Sequence, residues 1–196
     1  MQTFLPLPNF RQTAKVLDNK RLGKQRVETL QIYNNLVGKK TRWYNHPAVQ
    51  MWKVYENVLL QYGVLICREW QQRGFNDTLH NKFNDILVSK IPVEFVYPEW
   101  YGNEKFHSRH RSRLLFKGRC DAICSSIQKH LKIRGINKWL KANGYNLKYA
   151  LTYDEMLSLE NKANDLGGVL FPNHYKQFGW TESDKLGYLW PSKGEI

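Results

Sequence analysis

The sequence is poor in the features that mark several large protein classes. Three cysteines, Cys67, Cys120 and Cys124, supply no disulfide framework. The Cys120-x3-Cys124 pair has neither the spacing nor the companions of a zinc site. The cysteines therefore read as small buried hydrophobes in a reduced, intracellular compartment. No apolar run approaches the roughly 20 residues of a membrane-spanning helix. The longest candidate, Val58 to Cys67, is interrupted by Gln61, Tyr62 and Gly63. The opening MQTFLPLPNFRQTAK lacks the basic start and long apolar stretch of a secretory signal. Linkers, repeats and low-complexity tracts are missing. So are a Walker-type loop, HExxH, a dinucleotide fingerprint and GxSxG, which leaves nucleotide hydrolysis and serine hydrolysis without support. Acidic residues are scarce as well: 17 stand against 30 lysines and arginines in 196 residues, a formal net charge of +13. Such an excess points to a polyanionic partner.

What is present is bulk and helical periodicity. Seven Trp, eleven Tyr and nine Phe exclude disorder and can fill one sizeable core. Asn9 caps a short helix expected over Phe10 to Leu17. A longer helix is predicted from about Lys20 to Val37, with Val27, Leu30, Tyr33 or Asn34, and Val37 on its buried face and Gly38 as its stop. Pro47 opens a second long helix, Ala48 to about Gln72, buried along Val49, Trp52, Tyr55 or Glu56, Leu59, Tyr62 or Gly63, Ile66 and Trp70. A third covers Thr78 to Leu87. Ile91 to Gly102 reads as an aromatic packed loop. A basic helix is expected over Glu104 to Phe116 with Leu114 and Leu115 inward, then one or two short helices between Cys120 and Tyr149. Thr152 and Glu155 form a capping box for a helix through about Ala163. The irregular end, Phe171 to Pro191, should clamp onto the body through Phe178, Trp180, Tyr188 and Trp190. The fold class is all-α, a compact single-domain helical bundle.

The charge has a geography. Arg11 to Arg42 holds nine basic and two acidic residues, while Lys105 to Arg119 and Lys129 to Lys148 each hold six basic and none acidic. From Tyr149 to Glu195 the sign reverses, with four lysines against seven acids. Basic blocks of this kind form an electrostatic footprint for nucleic acid, or else wetted helix faces.

Several residues have chemical potential within these blocks. Arg21, Lys24 and Glu28 recur at i, i+3 and i+7 and share one side of a helix. A carboxylate ringed by cations suits a general base or a group that stabilises an oxocarbenium ion, and the arginines suit phosphates. An ordinary Arg–Glu network fits the same spacing. His46 sits where a loop meets a helix start, as a phosphate contact, a proton-transfer group or a cap, and Trp43 and Tyr44 can stack on an exposed base or fill the core. Glu56, on a mostly apolar helix, is expected to pair with an arginine. The run His107-Ser108-Arg109-His110-Arg111-Ser112-Arg113 is the densest cationic cluster. Metal ligation there lacks third and fourth ligands, and phosphate contact by His110, Arg111 and Ser112 is the better reading.

The motifs Met1-Gln2-Thr3-Phe4-Leu5-Pro6, Leu17 to Glu28 (LDNKRLGKQRVE), Asn45 to Trp52 (NHPAVQMW), Ser108 to Ser112 (SRHRS), His174 to Trp180 (HYKQFGW) and Tyr188-Leu189-Trp190-Pro191 occur in an order that resembles bacterial and phage members of the pyrimidine dimer DNA glycosylase superfamily. The likeness spans residues 1 to about 117 and resumes near 171. It implies a mostly helical protein that kinks duplex DNA to reach a damaged or modified nucleotide. It also implies a glutamate on the first long helix, which falls on Glu28 with Leu22 and Arg21 before it, and an N-terminal α-amine that attacks C1′ to form a Schiff base. Arg26 would lie near the phosphate contacts.

Two departures qualify the resemblance. Residue 2 is Gln2, whose bulk hinders removal of Met1. Either the Met1 amine serves, or Glu28 activates water without efficient lyase activity, and the sequence favours the second. Gly118 to about Leu170 is an addition that shorter relatives lack, and it reads as an inserted helical segment for recognition or for stability. The expected catalytic set is thus Glu28, Arg26 and Met1. The expected DNA contacts are Arg21, Lys24, Trp43, His46, Arg109, His110, Arg111, Ser112, Arg113, Lys132, Arg134 and Lys138. The expected partner is double-stranded DNA carrying a damaged or modified base, bound by a cytoplasmic monomer away from membranes, with no metal or organic cofactor. The rival reading is a non-catalytic DNA- or RNA-binding protein on the same scaffold.

Overall fold

The computed structural model describes residues 1–38, 41–146, 151–182, 188–191 and 194, and these hold helices and no strand. Their order is α1 (Phe10–Val16), α2 (Asn19–Leu36), α3 (Pro47–Gln50), α4 (Glu56–Gln72), α5 (Leu79–Val88), α6 (Glu104–His130), α7 (Ile136–Ala142) and α8 (Tyr153–Asp165), then a 3-10 turn over His174–Phe178. The all-α class expected from periodicity is what the chain adopts. Lys39, Lys40 and Lys148 of the basic blocks lie outside the described residues. Two units divide the chain: Met1–Arg111 with Gly187–Ile196, and Ser112–Leu186.

In the first unit the helix starts follow from their caps. Asn9 Oδ1 accepts from the Gln12 N–H at 2.9 Å, and Asp18 Oδ1 accepts from the Arg21 N–H at 2.8 Å, each satisfying a donor that the helix itself cannot. The buried face of α2 differs from the predicted one. Val27 and Val37 are about half exposed, and the face turned inward carries Leu22, Gln25, Glu28, Thr29 and Ile32. On this face Gln25 and Glu28 meet the N-terminal backbone, while Thr29 meets Gly63 of α4.

Residues 2–6 are buried without belonging to any helix, so their backbone groups need side-chain partners. Gln25 supplies most of them. Its Oε1 accepts from the Phe4 N–H at 2.8 Å, and its Nε2 donates to the Gln2 carbonyl at 2.8 Å. The Tyr62 hydroxyl, 2.7 Å from Gln25 Oε1 and 3.0 Å from the Phe4 carbonyl, shares its proton between them. Trp52 Nε1 donates to Thr3 Oγ1 at 3.0 Å, and Arg111 donates to the Pro6 carbonyl at 2.8 Å.

The predicted continuous helix from Ala48 to Gln72 is broken. Met51 to Tyr55 form a turn between α3 and α4, with the β-branched, 72% exposed Val54 in the left-handed region at φ 65°. The break lets the fully buried Trp52 reach Thr3, a contact 49 residues distant in sequence. Glu56 then begins α4, and it accepts from the Val54 N–H at 3.3 Å where an arginine partner was expected. Farther along, Gly63 brings α4 against both neighbours: a Cβ there would sit 2.9 Å from the Phe83 ring and 3.0 Å from the Thr29 methyl.

The second unit has its own core of Phe116, Ile123, Ile127, Leu140, Tyr145, Met156, Leu159 and Ala163. The helix expected to end near Phe116 continues instead as the 27-residue α6. Gly118 does not stop it, because that glycine marks a close approach. Asn173 lies over it and donates to the Leu115 carbonyl at 2.8 Å, leaving no room for a side chain. The capping box of α8 forms as predicted, Thr152 and Glu155 bonding reciprocally at 2.7 and 3.2 Å. Arg119 pairs with Glu160 within this unit.

Replacing Gln25 with leucine keeps the bulk but strands the buried Phe4 N–H and Gln2 carbonyl. Urea unfolding of Gln25→Leu should show a loss of about 2–5 kcal/mol; a loss below about 1 kcal/mol would mean that the N-terminal segment is held by other contacts.

Candidate active site

The same threading brings the first residue to the middle of α2. The Met1 α-ammonium lies 3.7 Å from Glu28 Oε1, and the side chains of the two residues are 5% and 8% exposed. Gln25 Nε2 donates to Glu28 Oε2 at 3.0 Å, so one amide fixes both the carboxylate and the backbone of residue 2. Lys24 Nζ, one turn before Glu28 and 68% exposed, stands 3.7 Å from the same Oε1. Two amines therefore converge on one carboxylate, an inward one fixed by the backbone and an outward one on a flexible stem. Burial first, and the Glu28 charge second, push the Tyr62 phenol well up, so Tyr62 remains a protonated donor beneath the site.

Few of the other sequence candidates join this pair. Arg26, two residues from Glu28 and thus on another face of α2, makes a bidentate pair with Asp77 (2.7 and 3.0 Å) and lies over the Trp70 ring. Arg21 is buried and donates to the cap residue Asp18 at 2.9 Å. Arg111 is occupied by the Pro6 carbonyl and Glu104. The exposed-cluster reading of His107 to Arg113 is corrected at His110 and Ser112, both of which are buried. His110 Nδ1 accepts from the Leu5 N–H at 3.2 Å, and His107 Nδ1 donates to the Leu5 carbonyl at 2.7 Å while its Nε2 accepts from the Gly102 N–H. The three-residue spacing does put both histidines on one helix face, but that face grips the N-terminal segment. His46 Nδ1 caps α3 by accepting from the Ala48 N–H at 3.1 Å, and its ring meets Trp43 and Trp190 edge-on. Tyr188 and Trp190 of the expected C-terminal clamp pack on each other, and Tyr188 lies against Phe4 and His110.

Trp43 is 40% exposed and carries the Arg42 guanidinium over its ring. Arg109 is half-buried in the first unit. In the second unit Lys132, Arg134 and Lys138 are exposed, Lys132 beside a cleft with Lys129 and Phe171, while Arg113 lies over the Phe116 ring. Gln25 and Tyr62 were not among the sequence candidates. The signal for Gln25 was its place between Leu22 and Thr29, where a buried amide must find partners.

Among the described residues no cluster of three or more His, Cys, Asp or Glu is arranged to hold a metal ion, and no helix is long and apolar enough to cross a membrane. What the site offers is a buried primary amine beside a carboxylate, with the exposed Lys24 amine at the same oxygen. Residues 1–82 match the family model for pyrimidine dimer DNA glycosylase. Over that stretch the chain is similar to that family. The glycosylase match contains Met1, Lys24, Gln25, Glu28 and Tyr62, and it ends inside α5. No curated protein and no solved structure matches the chain.

The histidines that hold the segment set its response to acid. Burial, then the neighbouring His107, pushes His110 down to about 3, and burial likewise lowers His107. Below the ordinary histidine value of about 6.5 the unfolded chain binds protons that the folded chain does not, so stability rises with pH up to that value. From His110 alone, urea unfolding at pH 5 should give a free energy on the order of 2 kcal/mol below that at pH 7; equal values at the two pH settings would contradict the buried, neutral assignment.

Proposed function

We propose that the chain is a DNA N-glycosylase acting on pyrimidine dimers in duplex DNA, with the Met1 α-amine as nucleophile and Glu28 as its proton acceptor. The observation that carries this reading is the 3.7 Å approach of that amine to the Glu28 carboxylate, inside the region that matches the family. Glu28 takes a proton from the ammonium, and the freed lone pair forms a bond to C1′. The glycosidic C–N bond breaks, and its electron pair leaves with the base, which takes up a proton. Ring opening of the sugar gives an iminium. Hydrolysis of that iminium returns the enzyme, whereas β-elimination cuts the strand.

The sequence favoured water activation because Gln2 hinders methionine removal. The geometry supports the alternative in which the same hindrance preserves the Met1 amine at Glu28. The Met1 amine is buried and fixed by the backbone whereas Lys24 rides on an exposed, flexible stem, which favours Met1 over Lys24. Gln25 holds the carboxylate, and Tyr62 holds Gln25. Exposed cations, among them Arg42, Lys132, Arg134 and Lys138, would follow the DNA backbone. Extruding the damaged nucleotides costs a few kcal/mol, least where pairing is already weakened.

Glu28→Gln keeps the hydrogen-bonding shape and removes the base. Release of pyrimidine dimers from ultraviolet-irradiated duplex should fall by about 10²–10⁴-fold, with salt-dependent DNA binding within about twofold of the parent. Equal release by parent and variant would sink the assignment to Glu28, and binding without release by both would favour the non-catalytic nucleic-acid-binding reading.

A further inference from the structure

The second unit carries a cleft of its own, outside the residues 1–82 that match the glycosylase family. Its volume is about 600 Å³, within the roughly 300–1,000 Å³ of ligand sites, and it is lined by Ser125, Gln128, Lys129, Lys132, Ile133 and Phe171. Positions 125, 128 and 129 share one face of α6, and Lys132 follows just past the helix end. None of these lining residues is acidic, and neither lysine forms an ion pair among the described residues.

Two of the lining residues stand where folding alone would put something else. The first is Lys132. The Lys132 N–H donates to the Lys129 carbonyl and the Ile133 N–H to the Gln128 carbonyl, both at 3.2 Å, the paired bonds of a left-handed helix cap. Lys132 takes the left-handed position of that cap at φ 53°, which suits glycine and strains a residue with a Cβ. The second is Phe171. It is 43% exposed, follows an exposed Leu170, and packs on no other ring among the described residues. Its backbone is nonetheless fixed to α6. The Leu170 N–H donates to the Ser126 hydroxyl at 2.8 Å, and His130 Nε2 donates to the Gly168 carbonyl at 2.8 Å. Ser126, fully buried, donates in turn to the Ala122 carbonyl at 2.8 Å. An aromatic ring is thus held in water beside two lysines that no acid neutralises.

We propose that this cleft binds an unpaired nucleic-acid strand, with a base stacked on Phe171 and the flanking phosphates on Lys129 and Lys132. The inference goes beyond the glycosylase reading and does not depend on it. Every base has a π face, and a base outside a duplex is free to lay that face on a side chain, so an exposed ring among cations favours single strands. Lys129 to Asn146 holds five basic residues and no acid, the charge complement of a phosphate backbone. Ser125 and Gln128 add hydrogen-bonding groups to the same lining. An acidic peptide answers the lysines alone, whereas a polynucleotide answers lysines and ring together.

Fluorescence anisotropy of labelled oligothymidine and oligouridine, each about twelve residues long, reads the contact and tells a DNA source from an RNA source. Phe171→Ala in the full chain should weaken the tighter oligomer by about 5- to 100-fold through lost stacking. The same variant should bind an undamaged duplex within about twofold of the parent and keep the parent's circular dichroism. Phe171→Trp should bind the oligomer at least as tightly as the parent. Lys129→Gln with Lys132→Gly should lower the slope of log K against log salt by about 1.4, since each single-strand phosphate contact contributes about 0.7. Glycine relieves the strain at 132, so the thermal midpoint of that double variant should be unchanged or higher, which separates lost charge from lost folding. Parent-like oligomer binding by Phe171→Ala would overturn the proposal, and so would equal losses on oligomer and duplex. Competition by polyglutamate as effective as that by unlabelled oligomer would also overturn it and make the cleft a site for acidic protein segments. Dimer release is read in a separate assay, so the glycosylase reading stands or falls apart from these outcomes.

Discussion

The structure of the first unit depends on one buried amide. Gln25 uses both donors and both acceptor positions of its side chain, on the Gln2 carbonyl, Glu28, the Phe4 N–H and Tyr62. A non-helical segment can lie inside a protein only if its backbone polar groups are met, since each unmet group costs on the order of 1–3 kcal/mol. Gln25 meets two of them and, with the same nitrogen that binds residue 2, orients the carboxylate toward residue 1. The placement of the amine and the geometry of Glu28 are therefore one structural fact rather than two. His107, His110, Trp52 and Arg111 continue the task along the segment. Four elements distant in sequence thus converge on five residues of chain.

The charge pattern takes a different meaning once burial is known. The basic residues that looked most like phosphate ligands include several with internal duties: Arg21 braces a cap, Arg26 is paired to Asp77, and Arg111 holds the Pro6 carbonyl. A guanidinium with five donors suits this work of fixing bends and carbonyls as well as it suits phosphate. Exposed cations remain in each unit, Lys24 and Arg42 in the first and Lys132, Arg134 and Lys138 in the second.

How far the sequence could be read follows from how local each cause is. The cap at Asn9 and the capping box at Thr152 are settled within four residues, and α1 and α8 start where those residues predict, while α2 starts at Asn19 beside the expected Lys20, behind an Asp18 cap that the periodicity did not name. The break between α3 and α4 was not legible, because its cause is a Trp52–Thr3 bond across 49 residues that outweighs the strain at Val54. The buried face of α2 was misassigned for a related reason: part of its partner is the N-terminal backbone, which Gln25 meets where periodicity sought valines. Glu28 was found through a motif. Its environment was not, since nothing in the run from Asp18 to Glu28 shows that residue 1 would arrive beside it. The His107–His110 spacing gave the correct common face but could not reveal what that face touches.

The central claim is that the Met1 amine, and not the equally near Lys24 amine or a water, forms the bond to the sugar. Borohydride reduction during reaction with dimer-containing duplex, followed by peptide mapping of the cross-linked protein by mass spectrometry, tests it directly. The account predicts a reduced sugar adduct on the N-terminal peptide, at the Met1 nitrogen. An adduct on Lys24, or active enzyme that yields no adduct at all, would contradict it.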